Sequence, residues 1–135
     1  MALASFSFLT AKGSVRMRFD DGVSVEVLGH YFTLDIGVPL AVSVSDGYLL
    51  FVLDKEGDNL CAYTLMGDYA FSLADLGLGA TLIGGSVMSA PEAIRFLSRY
   101  PDVKVAQDHT YYLATTNEYK MLLVDLDTKE IAFRT

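Results

Sequence analysis

The sequence predicts a mainly β protein made of antiparallel meanders, with one helix near residues 89–100. Short stretches in which apolar and polar residues alternate occur along most of the chain, which is typical of half-buried strands. Turns rich in Asp and Gly separate these stretches. Only one segment carries a strong helix-start signature. With 135 residues, 52% of them hydrophobic, we expect residues 1–135 to form a single folded domain rather than a disordered chain.

The first predicted meander covers residues 5–36. Phe6 and Phe8 alternate with serines, which indicates a first strand rather than a secretion signal, because no Lys or Arg precedes the apolar run. Residues 14–19 and 23–27 alternate in the same way around an Asp-Gly turn, and a fourth strand is expected near residues 32–36.

The second predicted meander covers residues 40–73. Residues 48–53 are apolar at every position, which predicts a central strand covered on both faces. A polar loop at 54–59 leads to strands at about 60–65 and 69–73.

The glycine-rich segment 75–89 is interpreted as a bent connection into the helix. Ser89 and Glu92 form a capping box, with Pro91 in the first turn where its missing N–H costs nothing. The predicted buried stripe is Ala90, Ala93, Ile94 and Leu97, and Pro101 is expected to end the helix. Strands are then expected near residues 103–106, 110–115, 120–125 and 130–134.

An internal repeat supports this division. Shifting residues 47–73 by 62 positions onto 109–135 aligns Leu60 with Leu122 and Phe71 with Phe133, and both windows predict strand, polar turn, strand, short turn and strand. The resulting units are about 5–36, 40–73 and 80–134, and a chain of 135 residues divided into three gives 45 residues per unit, close to the roughly 40 to 45 residues of a propeller blade. On the stretches 46–54, 60–68, 112–117 and 122–131 the chain resembles β-propeller blades. It has no Trp, so the Trp-Asp signature of one large propeller family is absent.

Three blades are too few to close a ring, since propellers have about 4 to 8. The resemblance therefore implies self-association, with a homodimer completing a ring of six and covering the open sheet edges. The alternative is an α+β curved sheet, sandwich or barrel packed on the 89–100 helix.

Composition narrows the partners and the compartment. The formal net charge is −7 and the basic residues are dispersed, so we expect no nucleic-acid binding. No apolar run reaches the roughly 18 residues of a membrane span. The single cysteine, Cys61, fits a reducing compartment, and we expect a cytoplasmic protein that does not bind membranes.

The most chemistry-like residues are Asp108 and His109, because a carboxylate beside an imidazole can orient a general base. His30 and Asp35 are possible companions, and Tyr111 belongs to a group of tyrosines that suits a recognition surface. Neighbours in a strand point to opposite faces, so a direct hydrogen bond between Asp108 and His109 is not expected. The pair is more typical of a turn carboxylate beside a surface histidine.

Other catalytic or cofactor motifs lack support. Asp54, Glu56 and Asp58 alternate as calcium ligands do, but Asn59 and Leu65 stand where that loop needs Gly and Glu. The glycines at 77, 79, 84 and 85 do not complete a dinucleotide fingerprint. Cys61 is expected to be a small core residue. We therefore expect no metal site and no cofactor.

These observations predict a non-catalytic, self-associating binding or interaction module of unknown ligand. One alternative is a small enzyme or small-ligand-binding protein with a site around His30, Asp35, Asp108 and His109. Another is an accessory subunit of a larger complex, with a different protein as partner.

Overall fold

A computed structural model describes residues 4–135, which form twelve strands and one α-helix. The first four strands are β1 (Ala4–Thr10), β2 (Gly13–Phe19), β3 (Val23–Val27) and β4 (His30–Leu34). The next four are β5 (Ala41–Val44), β6 (Tyr48–Val52), β7 (Leu60–Thr64) and β8 (Tyr69–Ser72). After a 3-10 turn at Ala74–Leu76 come β9 (Leu82–Ser89), α1 (Ala90–Phe96), β10 (Thr110–Thr116), β11 (Met121–Asp125) and β12 (Glu130–Arg134).

The strands form three separate four-stranded antiparallel sheets, each paired in sequence order. The first sheet is β1 to β4, the second β5 to β8 and the third β9 to β12. The mainly β, meander-built class is therefore confirmed, and each sheet resembles a propeller blade. The predicted repeat is also confirmed at this level, because β6, β7 and β8 occupy the same sheet positions as β10, β11 and β12. Within residues 4–135 the three sheets do not close a ring.

The second sheet lies between the other two and contributes a different face to each. Leu49 and Phe51 of β6 pack with the first sheet, whereas Leu50 and Val52 pack with the third. All four side chains are fully buried. The expectation that residues 48–53 form a strand covered on both faces is confirmed.

The two outermost faces of this stack differ in character. On the first sheet, residues such as Arg16, Arg18 and Ser24 alternate with buried neighbours and face solvent. On the third sheet, Ala90, Ala93 and Leu97 of the α1 segment pack against Tyr111 and Leu123. One end of the stack is therefore polar, and the other is covered by the helix.

The helix begins as predicted but ends earlier. The Ser89 hydroxyl accepts a hydrogen bond from the Glu92 N–H, and the Glu92 carboxylate accepts one from the Ser89 N–H at 3.2 Å. Leu97, expected in the helix, is its C-cap, and the chain turns where the Tyr100 N–H meets the Leu97 carbonyl at 2.8 Å. Ile94, expected in the buried stripe, is 47% exposed. A helix of seven residues buries only its alanines and the leucine that follows it, so a wider apolar stripe has no surface to cover.

The predictions for the first strand of the third sheet were wrong. Residues 103–106 form no strand, and the glycine-rich segment expected to be a bent connection forms β9 instead. β9 and β11 occupy the two sides of β10, which leaves no free edge on β10 for another strand. The Ala106 N–H is satisfied by the Tyr111 hydroxyl at 2.8 Å rather than by a strand.

A buried asparagine joins the second and third sheets. The Asn59 side chain accepts a hydrogen bond from the Leu82 N–H at 2.7 Å and donates one to the Leu82 carbonyl at 2.8 Å. It also donates to the Leu53 carbonyl at 2.9 Å. Asn59 thus holds the start of β9 as a paired strand would.

A close contact within the third sheet involves Gly85 of β9. A Cβ placed on Gly85 would lie 2.0 Å from the Tyr112 hydroxyl oxygen and 2.3 Å from the ring carbon that bears it. Tyr112 is 1% exposed, so the glycine makes room for a buried aromatic ring.

Among residues 4–135, no helix has the length and apolar character needed to cross a bilayer.

Candidate functional site

His109 lies just before β10 and meets a carboxylate from the end of β11. Its Nδ1 is 2.7 Å from an Asp125 carboxylate oxygen, and both side chains are largely buried, at 26% and 12% exposure. β10 and β11 are antiparallel with Tyr111 opposite Asp125, so this register brings the residue preceding β10 towards the end of β11. Asp108 is 4.0 Å from the other ring nitrogen, which is beyond hydrogen-bond distance. The expectation that Asp108 and His109 do not bond directly is confirmed.

Backbone N–H groups fix the carboxylates around this histidine. The second Asp125 oxygen accepts hydrogen bonds from the N–H groups of Asp127 and Thr128, at 2.9 and 3.1 Å. Asp127 accepts one from the Thr110 N–H at 2.9 Å. We call His109, Asp125 and Asp127 the His109 clamp, because together they tie the start of β10 to the β11–β12 turn.

The nitrogen and oxygen atoms of the clamp that could ligate a metal ion lie within 4.8 Å of one another. However, both Asp125 oxygens, the His109 Nδ1 and one Asp127 oxygen already have protein partners. A cation that used the Nδ1 of His109 would have to break the His109–Asp125 bond. The arrangement is therefore that of a hydrogen-bonded turn, in which the Nε2 of His109 is the nitrogen left over.

The clamp shifts the proton affinity of its members. The hydrogen bond that His109 donates to Asp125 raises the pKa of His109. The charges of Asp125, Asp127 and Asp108 also raise this pKa, whereas burial lowers it. Burial would raise the pKa of Asp125, but the bonds from His109 and from the Thr128 and Asp127 N–H groups outweigh it, so this pKa is lowered. The ion pair is thus favoured on the acidic side of neutrality.

The other predicted site residues lie elsewhere. His30 begins β4 of the first sheet and is exposed, with its ring against Phe32 at a centroid distance of 5.7 Å. Asp35 follows the same strand and is also exposed. The second sheet separates both from Asp108 and His109, so the four residues do not gather at one place.

Tyr111 is placed inside the protein rather than on a recognition surface. It is 1% exposed, packs under α1, and uses its hydroxyl to accept from Ala106. A binding role for His30, Asp35, Asp108, His109 and Tyr111 stays a prediction.

Asp125 is the clamp residue that the sequence analysis missed. It lies within the otherwise apolar run 122–126, and the residue is buried. A carboxylate inside an apolar strand needs a partner, because burying an unpaired charge is costly. That signal was available, and the antiparallel register of β10 and β11 would have pointed to His109.

Raising the pH through the pKa of His109 is expected to weaken the clamp. A raised pKa in the folded state means that the stabilisation is complete below the unfolded-state value of about 6.5 and disappears as pH rises through the folded-state value. On the acid side, the contribution of Asp125 disappears as pH falls through its lowered pKa. Urea midpoints measured from mildly acidic to alkaline pH should therefore show the largest gap between wild type and His109→Gln on the mildly acidic side.

His30→Gln is the matched control for this measurement, because His30 is exposed on another sheet. Its urea midpoint should follow the wild-type pH profile. A gap between wild type and His109→Gln that stays constant across the pH range would contradict the charge-based account of the clamp.

Cys61, expected to be a small core residue, is partly buried and packs against the core between the first and second sheets. Burial raises its pKa to about 11, with smaller opposing effects of Lys55 and Asp58. The reactive thiolate is therefore scarce at neutral pH.

A second feature is an apolar groove between the first and second sheets. It encloses about 410 Å³ and runs between β1 and the segment leading into β5. We call it the first-strand groove; its lining is Phe6, Phe8, Phe19, Val38, Pro39, Leu40, Ala41 and Val42. The Leu40 N–H donates to the Val52 carbonyl at 2.7 Å, which fixes one wall on the second sheet.

The groove carries exposed apolar surface. Phe6 is 51% exposed, Val38 48% and Leu40 55%. None of the lining residues is charged. Adjacent exposed apolar side chains of this kind mark interaction sites more often than singly scattered ones do.

The sequence matches no protein-family model and no curated protein.

Proposed function

We propose that this protein is a non-catalytic interaction module that associates with a second copy of itself through the first-strand groove. The observation that carries the proposal is the uncharged lining of the groove, which leaves three large apolar side chains about half exposed. Closing the groove against a copy would remove this surface from water. Each Å² of apolar surface buried contributes about 25 cal/mol of favourable free energy.

The edge of the first sheet supports a second copy as the occupant. Among the described residues, β1 pairs only with β2, so this strand, which borders the groove, has a free edge. Free edges favour pairing with another chain. A two-fold contact would use the same patch on both copies, with Phe6 of each entering the groove of the other.

The groove is a better contact than the outer faces that a six-bladed ring would use. Such a ring would place the outer face of the first sheet against the helix-covered face of the third sheet of the partner. The first of these faces carries Arg16, Arg18 and Glu26, whose charges would have to leave water. We therefore place the contact at the groove and its flanking edge.

The net charge of the protein predicts how self-association depends on salt concentration. Two copies carry −7 each and repel one another, while the groove itself contributes no charge. Added salt screens the repulsion and leaves the apolar contact in place. Self-association is therefore expected to strengthen as salt concentration rises.

Substitution of Leu40 tests the proposal. Sedimentation equilibrium of the wild type should show a monomer–dimer equilibrium at micromolar concentrations, and Leu40→Ser should weaken it by roughly tenfold or more. Leu40 is more than half exposed, so the variant should fold. Circular dichroism and a urea midpoint close to wild type would establish that it does.

Leu9→Ser is the matched control. Leu9 is 88% exposed on β1 and lies outside the groove, so the same change in polarity there should leave the dimer intact. A wild type that stays monomeric at high micromolar concentration and high salt would refute self-association. Equal effects of the two substitutions would refute the groove as the contact.

A further inference from the structure

The outer face of the first sheet carries an open hollow of about 780 Å³. All four strands contribute to it. The strand registers place its polar side chains in two rows across the sheet. One row is Ser7, Arg16, Glu26 and Tyr31, and the other is Ser5, Arg18, Ser24 and Thr33.

The two arginines at the centre of this hollow have unused hydrogen-bonding capacity. Arg16 approaches Glu26 and Arg18 approaches Asp20, each at 3.9 Å, which is longer than an N–H···O hydrogen bond. Their side chains are 71% and 64% exposed. Within residues 4–135 neither guanidinium donates a side-chain hydrogen bond, so their planar donor groups are open to an added carboxylate.

The spacing of the arginines favours an extended ligand. Residues 16 and 18 lie two apart on one strand, so their side chains leave the same face about 6.8 Å from each other. An extended peptide repeats its own side chains with the same spacing on one face. Carboxylates at alternate positions of such a peptide would therefore meet the two arginines in register.

Other polar side chains surround the two arginines on this face. Glu26 is the carboxylate of the first row, and hydrogen bonding to this carboxylate, followed by its charge, raises the pKa of Tyr31. Four hydroxyl side chains flank the arginines, on Ser5, Ser7, Ser24 and Thr33. They offer both donors and acceptors to a peptide backbone.

We propose that the outer face of the first sheet binds an extended acidic peptide segment of a partner protein, with carboxylates at alternate positions pairing with Arg16 and Arg18. Arg16 and Arg18 lie outside the first-strand groove, although Phe6 borders both surfaces, and the proposal does not rest on self-association. The contact is electrostatic and exposed, so it should be weak and should lose affinity as salt rises.

Three nine-residue peptides with blocked termini test the proposal. The first has three aspartates at alternate positions among serines. The second has the same composition with an aspartate at every third position, so successive carboxylates point to opposite sides of the extended chain. The third has asparagine in place of each aspartate of the first. Chemical-shift titration of the wild-type protein should show the first peptide binding at least several-fold more tightly than the other two, with shifts confined to β1 to β4.

Substitution of the arginines is the second test of peptide binding. Arg16→Ser combined with Arg18→Ser should reduce affinity for the alternating peptide by roughly tenfold or more, since it removes both charge-assisted contacts. Arg95→Ser combined with Arg99→Ser removes the same charge from exposed positions at the helix and should leave the affinity unchanged. Leu40→Ser should bind the peptide like wild type, so failure of self-association and failure of peptide binding are seen separately.

Each remaining outcome would overturn the proposal. No binding of the alternating peptide at millimolar concentration and low salt would do so, and so would equal binding of the peptide with the wrong spacing. Full displacement of the peptide by an equal concentration of inorganic phosphate would indicate a site for single anions instead. Loss of affinity in both double variants alike would indicate attraction by overall charge rather than by this face.

Discussion

Replacing Asn59 by alanine is expected to lower the free energy of unfolding by roughly 3 to 5 kcal/mol, because it leaves buried backbone groups without partners. The asparagine is fully buried and makes three hydrogen bonds, two of them to Leu82. Leu82 is itself only 1% exposed, so water cannot take over these bonds. Chemical denaturation followed by circular dichroism measures the effect.

Two further variants separate the hydrogen bonds from the loss of side-chain volume. Asn59→Asp keeps the size and the acceptor for the Leu82 N–H, but it loses the donor and adds a charge in a buried place, so it should also be strongly destabilised. Asn117→Ala serves as the control, because Asn117 is exposed and is held to the Thr81 carbonyl through its backbone N–H. Its unfolding midpoint should stay close to wild type.

An unfolding midpoint of Asn59→Ala within experimental error of wild type would show that the joint between the second and third sheets does not depend on this side chain. The same result would weaken the view that the three sheets unfold together, since Asn59 bonds to both backbone polar groups of Leu82 at the start of β9.

Patterns within single strands made most of the fold predictable. Alternation along residues 14–19 and 23–27 gave the correct faces, because one side of the first sheet is buried and the other solvated. The continuous apolar run at 48–53 indicated a strand with both faces covered, and β6 does occupy the middle layer. The repeat at a shift of 62 residues was informative for the same reason, since equivalent strands of successive sheets meet equivalent environments.

The errors concern β9 and the segment 103–106, where local preference and tertiary context disagree. Glycine is unfavourable inside strands, so Gly84 and Gly85 favoured a bent connection. Gly85 is required because Tyr112 occupies the space of its side chain, which is information held 27 positions further along the sequence. Val103 and Val105 alternate like strand residues, yet their apolar side chains pack beneath α1 without any strand pairing.

The candidate sites were less predictable than the strands. The Asp108–His109 pair was visible as a sequence motif, but the carboxylate that bonds to the imidazole comes from Asp125, 16 residues away. Such a pairing follows from the strand register, which alternation alone does not fix. The first-strand groove and the arginine face likewise arise from how sheets stack, and no short motif encodes either one.

Replacing Gly85 by alanine is expected to cost roughly 3 kcal/mol of unfolding free energy, the upper part of the range for forcing an added group into a packed core. The new methyl group would lie 2.0 Å from the Tyr112 hydroxyl oxygen and 2.9 Å from a ring carbon. Tyr112 is buried against the second sheet and cannot swing away without disturbing its neighbours. Thermal or urea unfolding measures the loss.

Gly84→Ala is the matched control one residue away on the same strand. A Cβ at Gly84 meets no heavy atom within 4 Å, so alanine there should be neutral or should stabilise by about 0.4 to 1 kcal/mol through the unfolded chain. Both variants replace glycine by alanine in the same strand, and the steric contact with Tyr112 is present only at position 85. Equal stabilities would therefore exclude the contact with Tyr112 as the reason for glycine at position 85.

A double variant identifies the partner in this contact. Tyr112→Leu shortens the side chain, so in the Gly85→Ala background it should recover part of the stability instead of adding its own cost to that of the first change. Strict additivity of the two costs would mean that the strain at position 85 is taken up by the backbone of β9. In that case the Ser43 hydroxyl, which donates to the Gly85 carbonyl at 3.2 Å, would be the next contact to test, because a shift of β9 would break it.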